Sequence, residues 1–250
     1  MNKLEEVFKN KKAFIPFVVA DDPDFDTTVQ NILTLANNGA DIIELGIPFS
    51  DPVADGPVIQ VADLRAFDAG VNTNVVFDIV AKVRESTDVP LIFLTYTNIV
   101  FKYGYEEFCK RCRDLNISGL VIPDLPLEEQ GDLREFAKQY DISLIQLIAP
   151  TSGDRIEKIA KEAEGFIYMV SSMGVTGQRE DFSKKLSNTI EEIRKYTDVP
   201  VAIGFGIHSA EQAQALSKIA DGIIIGSAIV ELIAEGKDLA EYSNEIKAAI

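Results

Sequence analysis

The 250-residue sequence has no tryptophan, a single histidine and two cysteines. Two thiols cannot build a disulfide framework. One imidazole cannot supply the two or three nitrogen or sulfur ligands of a catalytic transition-metal site. Positive charge is also scarce: 24 Lys and Arg against 40 Asp and Glu leave a formal net charge of −16. A chain this acidic repels phosphate backbones and anionic lipid, so nucleic acid and membrane surfaces make poor partners. Apolar stretches end after about seven residues, well short of the roughly 20 that cross a bilayer. Lys3, Lys9, Lys11 and Lys12 are followed by no apolar signal core and no cleavage site, so a cytoplasmic protein is expected. No linker, charge block or low-complexity stretch divides the chain, which reads as one domain over residues 1–250. What is present suits a folded core: 46% hydrophobic and 26% charged residues lie close to the globular average.

Eight short runs rich in Val, Ile, Leu and Phe recur along the chain, at Phe14–Ala20, Ile42–Gly46, Leu91–Tyr96, Gly119–Pro123, Ser143–Ala149, Phe166–Val170, Val201–Gly204 and Gly222–Gly226. Each reads as a strand buried on both faces, as parallel strands are. Charged segments with helical spacing separate them, among them Phe25–Asn38, Val75–Ser86, Glu106–Asn116, Glu128–Tyr140, Asp154–Glu164, Asp181–Tyr196 and Ala210–Ile219. Helix-start signals fit, with Pro23-Asp24 before the first and Ser209 before the last of these. The alternation allows an open doubly wound sheet or a closed (β/α)8 barrel, and length and strand count favour the barrel, the TIM barrel. An extra helix is expected at the N-terminus. The 44 residues between Gly46 and Leu91, and the 30 between Val170 and Val201, predict long loops after strands 2 and 6.

In Asp41-Ile-Ile-Glu44-Leu-Gly46, alternation turns Ile42, Glu44 and Gly46 to one face, and Ile43 and Leu45 to the other. Glu44 therefore points into the barrel near its top. No Lys or Arg lies within any strand to pair it, so burial is expected to raise its pKa toward the working pH, as a general acid–base requires. The three prolines and two glycines of Gly46–Pro57 stiffen the loop that carries Asp51 and Asp55. Both also fit ordinary turn chemistry, and Asp55 fits a cap for a helix starting near Pro57.

On the far side, Gly204-Phe205-Gly206 ends strand 7 and Gly226-Ser227 opens a helix after strand 8, the frequent phosphate site of this barrel. A third glycine-bearing loop, Met173–Gly177, follows strand 6. Together they predict a phosphorylated ligand held by backbone donors. Schiff-base chemistry is not expected, because every lysine falls in a helix, a loop or a terminus. His208 reads as an exposed or capping residue. Cys109 and Cys112 have CxxC spacing, but mid-helix, which favours structural thiols over a redox pair. Tyr168 alternates with Phe166 and Val170 and should face the interior, as core or against the ligand.

The stretch Glu44-Leu-Gly-Ile-Pro-Phe-Ser-Asp-Pro-Val-Ala-Asp55-Gly-Pro57 resembles the signature of the tryptophan synthase alpha chain family. So do Phe14–Val18, Leu94–Asn98, Ile122–Glu129, Ala149–Ser152, Gly174–Gly177, Gly204–Gly206 and Gly226–Ile229, in the family's order over nearly the full length. The resemblance implies a lyase that cleaves indole-3-glycerol phosphate to indole and glyceraldehyde 3-phosphate without a cofactor. It implies catalytic roles for Glu44, Asp55 and Tyr168, and indole packing by Phe17, Leu94 and Phe205. It implies phosphate contacts at Gly177, Gly206, Gly226 and Ser227, and a lid carrying Thr176. Asp51, Pro52 and Asn98 would face a PLP-dependent beta chain in an alpha2-beta2 heterotetramer. The lack of tryptophan fits a tryptophan-making enzyme. Two residues depart from the family pattern: Asp21, where glycine is usual, and Ile99, where proline is common. Competing readings are another phosphate-binding barrel, such as an isomerase or the synthase that forms indole-glycerol phosphate, and a non-catalytic activator. The synthase should carry a strand-end lysine that is missing here, and an activator would have no need of Glu44, Asp55 and Tyr168.

Overall fold

The computed structural model describes residues 3–171, 179–204 and 206–250. Its elements run α1 (Lys3–Val7), β1 (Ala13–Val19), α2 (Phe25–Asn37), β2 (Ile43–Gly46), α3 (Pro57–Ala69), α4 (Thr73–Arg84), β3 (Leu91–Leu94), α5 (Thr97–Tyr103) and α6 (Tyr105–Asp114). Then follow β4 (Ile117–Val121), α7 (Gly131–Gln139), β5 (Ser143–Ile148), α8 (Ile156–Lys161), β6 (Ile167–Val170), α9 (Arg179–Ile193), β7 (Val201–Gly204), α10 (Ala210–Ser217), β8 (Gly222–Ile225), α11 (Ser227–Ala234) and α12 (Leu239–Ala249). The strands form a closed parallel barrel in sequence order, β8 pairing back onto β1, which establishes the closed alternative over the open sheet. Among the described residues no helix is long and apolar enough to cross a membrane.

Alternation along each strand divides the apolar side chains into two layers. Ile15, Phe17, Val19, Ile42, Ile92, Leu94, Phe166 and Tyr168 pack inside the barrel. Phe14, Val18, Ile43, Leu45, Phe93 and Met169 pack outward with the helices. The inward glycines are spaced for rings. A Cβ on Gly46 would lie 2.6 Å from the Phe17 ring, and one on Gly204 would lie 2.6 Å from the Tyr168 ring. Helix starts follow the local chemistry: the Asp24 carboxylate accepts from Thr27 N–H at 2.7 Å, and Ser209 Oγ accepts from Gln212 N–H.

Two expectations are refined. The insertion after β2 is a ten-residue loop, 47–56, followed by α3, which starts at Pro57 as expected, and by α4, which overlaps the expected helical segment Val75–Ser86. The loop itself is therefore shorter than the 44-residue spacing suggested. After β6, helix α9 begins at Arg179, and residues 172–178 lie outside the described residues. Helix α5 has no strong periodic signal: it is seven residues long and buries only Val100. Cys109 and Cys112 are buried free thiols within α6, consistent with a structural role. Burial pushes the Cys109 thiol up to about 12.

Candidate active site

A cavity at the C-terminal mouth of the barrel is lined by Glu44, Asp55 and Tyr168 on one side and by Gly206, His208, Gly226 and Ser227 on the other. Phe17, Leu94 and Ile59 form apolar wall between them. Glu44 extends from β2 into this space, opposite Phe17 of β1 and Ile92 of β3. It is 1% exposed, and its Oε1 has no hydrogen-bond partner. Burial, reinforced by the nearby Asp55 charge, pushes its carboxyl up to about 8. A carboxyl poised there exchanges protons readily near neutral pH.

Asp55 has a different environment. It is half-buried in the 47–56 loop, and its Oδ2 accepts a hydrogen bond from the Tyr96 hydroxyl at 2.7 Å. Burial raises its pKa, while the Tyr96 bond opposes that shift by favouring the charged form. Asp55 does not cap α3: Gly56 holds the N-cap position without a side-chain bond, and Asp55 offers Gln60 only its carbonyl oxygen. Tyr96 is itself locked in place. Its hydroxyl accepts from Ala54 N–H at 3.2 Å, and its ring stacks on Phe49 with centroids 4.9 Å apart. Two carboxyls of unequal environment thus line one cavity, the arrangement that divides acid–base from electrostatic work.

Tyr168 is 5% exposed and lies against Gly204, where only a residue without a Cβ leaves its ring room. Burial, with the charges of Glu44 and Asp55, holds its hydroxyl far above the usual phenol range, so it is present as a neutral donor. Across the cavity Gly206 has φ 74°, a left-handed conformation suited to glycine, and Gly226 leads into the first turn of α11. Thr176, Gly177 and Phe205 lie outside the described residues. His208 is exposed at the rim, its backbone N–H donating to Gln212 Oε1 at 2.8 Å. Asp51 and Asn98 are exposed and Pro52 is half-buried, so all three stand on the mouth side outside the cavity.

Three features of the site were not singled out from the sequence. Tyr96 continues the inward set Ile92 and Leu94 just past β3, so alternation carried that signal. Asp63 lies between Ala62 and Ala66 on the buried side of α3, an acid at an apolar-face position. Asp22 is 2% exposed and receives both Arg65 Nε and Nη2, at 2.7 and 2.8 Å, a pairing across 43 positions with no sequence signature. The two departures have local explanations. Asp21 adopts φ 64°, where glycine is less strained, and Ile99 N–H donates to the Tyr96 carbonyl at 3.0 Å, a bond proline cannot make.

A closed parallel barrel with a buried and a half-buried carboxyl facing glycine-bearing loops across its C-terminal mouth is the architecture of a (β/α)8-barrel enzyme with an acid–base site. The tryptophan synthase alpha chain family model matches residues 4–249. The chain is 62% identical to the tryptophan synthase alpha chain of Lacticaseibacillus casei, covering 100% of this chain and 96% of that one. It is 53% identical to that of Lactiplantibacillus plantarum, covering 100% and 97%. Among solved structures, a Mycobacterium tuberculosis tryptophan synthase chain superposes with a TM-score of 0.92 at 31% identity, covering 100% of this chain and 98% of that one. The alpha subunit from Campylobacter jejuni gives 0.90 at 34% identity over 100% of both. The chain belongs to the tryptophan synthase alpha chain family. It is a lyase of tryptophan biosynthesis that cleaves indole-3-glycerol phosphate to indole and glyceraldehyde 3-phosphate, as an alpha chain that works with a beta chain.

Proposed function

We propose that Glu44 is the proton-transfer group of this cleavage and Asp55 the charge that stabilises its cationic intermediate. The observation that carries the assignment is the contrast between the two carboxyls: Glu44 is enclosed with an unpartnered oxygen, whereas on Asp55 the upward push of burial is opposed by the hydrogen bond from Tyr96. Glu44 in its acid form delivers a proton to indole C3, which leaves positive charge on the ring nitrogen. A carboxylate about 4 Å from that nitrogen stabilises it by roughly 4 kcal/mol at an effective dielectric of 20. The Glu44 carboxylate then takes the proton from the hydroxyl on the side-chain carbon next to the ring. The O–H electron pair forms the aldehyde C=O, the carbon–carbon bond pair returns to the ring, and Glu44 ends protonated as it began.

Tyr168, a neutral donor beside both carboxyls, orients the reacting side chain. Phe17 and Leu94 pack the indole, with Phe205 as a further wall. Backbone donors at Gly206, Gly226 and Ser227 receive the phosphate, assisted by the N-terminal end of α11, and the family resemblance adds Gly177 and Thr176 as substrate contacts. Every step uses groups of this chain and substrate, so no cofactor is needed on this chain, and PLP belongs to the beta chain. Asp51, Pro52 and Asn98 meet that chain in an alpha2-beta2 heterotetramer in the cytoplasm. The strongly exposed Val53 and Phe101 beside them, 77% and 67% accessible, support an interface there. The test is glyceraldehyde 3-phosphate release from indole-3-glycerol phosphate, with and without a beta chain, by wild type and Asp55→Asn. We expect turnover to rise with the beta chain and to fall by a factor of about 10³, the ~4 kcal/mol above, in the variant. Near-normal turnover by Asp55→Asn would remove Asp55 from this role.

A further inference from the structure

Among the described buried carboxyls that the cleavage steps leave unused, Asp63 is the one with a buried oxygen that lacks a hydrogen-bond partner. It lies in α3, eight positions beyond Asp55, is 5% exposed, and its Oδ2 has no hydrogen-bond partner. Its neighbours offer no compensation. From the loop before α3 it faces Asp55, and from the turn after β1 it faces Asp22. The Tyr96 hydroxyl at the end of β3 also feels its charge, but is already committed to Asp55. The guanidinium of Arg65, on the same helix, is engaged by both carboxylate oxygens of Asp22. Strand β1 carries no titratable side chain, and α11, packed against α3, carries only the exposed Glu231. Among the described residues Asp63 is therefore the acid of this group that has no ion pair and whose Oδ2 has no donor.

We propose that Asp63 is a positioning residue for the cleavage reaction that acts through Asp55: its neutral carboxyl keeps the 47–56 loop seated at the mouth, and ionising it drives Asp55 away from its place. The inference rests on the reading of Asp55 as the charge opposite the indole nitrogen. With Asp63 neutral, Asp22 and Arg65 cancel and the remaining negative charge of the cluster stands on Asp55, aimed at the cavity. With Asp63 ionised, a second buried negative charge arises without a counter-ion, and repulsion falls on the member carried by a loop. Burial and the charges of Asp55 and Asp22 push the Asp63 carboxyl up to about 8, so the change falls in the same range as Glu44.

The experiment is the pH dependence of kcat/KM for indole-3-glycerol phosphate cleavage in the presence of a beta chain. It compares wild type, Asp63→Asn and Asp63→Ser, with Tm measured to show that each variant is folded. The wild type is expected to lose activity above pH 8 with a limiting slope of two protons, from Glu44 and Asp63 together. The Asn variant, permanently neutral, should match wild type within about twofold at pH 7 and fall with a slope of one proton. At pH 9 it should then retain ~10-fold more of its pH 7 activity than wild type does. A folded Asn or Ser variant whose profile superimposes on wild type overturns the proposal. If neither variant folds, a one-proton limb in wild type overturns it on its own. Asp55→Asn in the same series separates the two ideas: undiminished activity there defeats the Asp55 reading, whereas a shape change confined to Asp63 variants does not bear on it.

Discussion

Replacing Glu44 with glutamine removes the titration and keeps the shape, and the structure sets the expected size of the effect. Glu44 is 1% exposed, and burial together with Asp55 raises its carboxyl from 4.5 to about 8. A group whose pKa is higher folded than unfolded contributes stability that is fully present below the unfolded value. That contribution is lost as pH rises through the folded value. For Glu44 the loss runs from about pH 4.5 to about pH 8 and is level above that. Over the part of this range above pH 6, at about 1.4 kcal/mol per pH unit, wild type should lose ~3 kcal/mol that Glu44→Gln retains. The measurement is urea unfolding followed by circular dichroism at pH 6 and pH 9, since the chain has no tryptophan to report by fluorescence. The variant should gain about that amount relative to wild type between the two pH values, while its lyase turnover collapses at both. Stability curves that stay parallel from pH 6 to pH 9 would refute a neutral buried Glu44, and with it the assignment of Glu44 as a ready proton donor.

Tyr96→Phe removes the hydrogen bond that favours the charged form of Asp55. A hydrogen bond to a charged group is worth about 1.5–3 kcal/mol, so the acidic limb of kcat/KM should move up by roughly one to two pH units. An unmoved limb would show that the bond does not set the state of Asp55. Gly204→Ala places a methyl group 2.6 Å from the Tyr168 ring and should cost ~1–3 kcal/mol in urea unfolding, with a drop in turnover as the ring shifts. Gly131→Ala, whose added Cβ meets nothing within 4 Å, is the control and should change stability by less than about 0.5 kcal/mol.

The barrel and one of its carboxyls are legible in the sequence alone. Eight doubly buried runs separated by helical segments leave few ways to cover both faces of a parallel sheet, and the observed strands lie within the expected runs or up to two residues outside them. Alternation in a strand is a local rule, so the inward direction of Glu44 and Tyr168 followed from their neighbours alone. The glycine loops around Gly206 and Gly226 were legible for a similar reason, since strand ends of a barrel share one face. The extra helix pair after β2 was only half visible: its second helix has a clear apolar period, whereas α3 keeps Val61 and Leu64 exposed and so blurs the pattern.

The state of the acids was decided only by tertiary structure. Whether Asp55 capped a helix or entered the cavity depended on the path of the 47–56 loop and on Tyr96, which stands 41 positions away in sequence. The pairing of Asp22 with Arg65, and the want of a hydrogen-bond partner for Asp63 Oδ2, arise where separate segments meet at the closed mouth. Side-chain direction within an element is fixed by bond geometry and repeats with the sequence. Charge, burial and hydrogen bonding depend on distances between elements, and those exist only once the eight strands have closed.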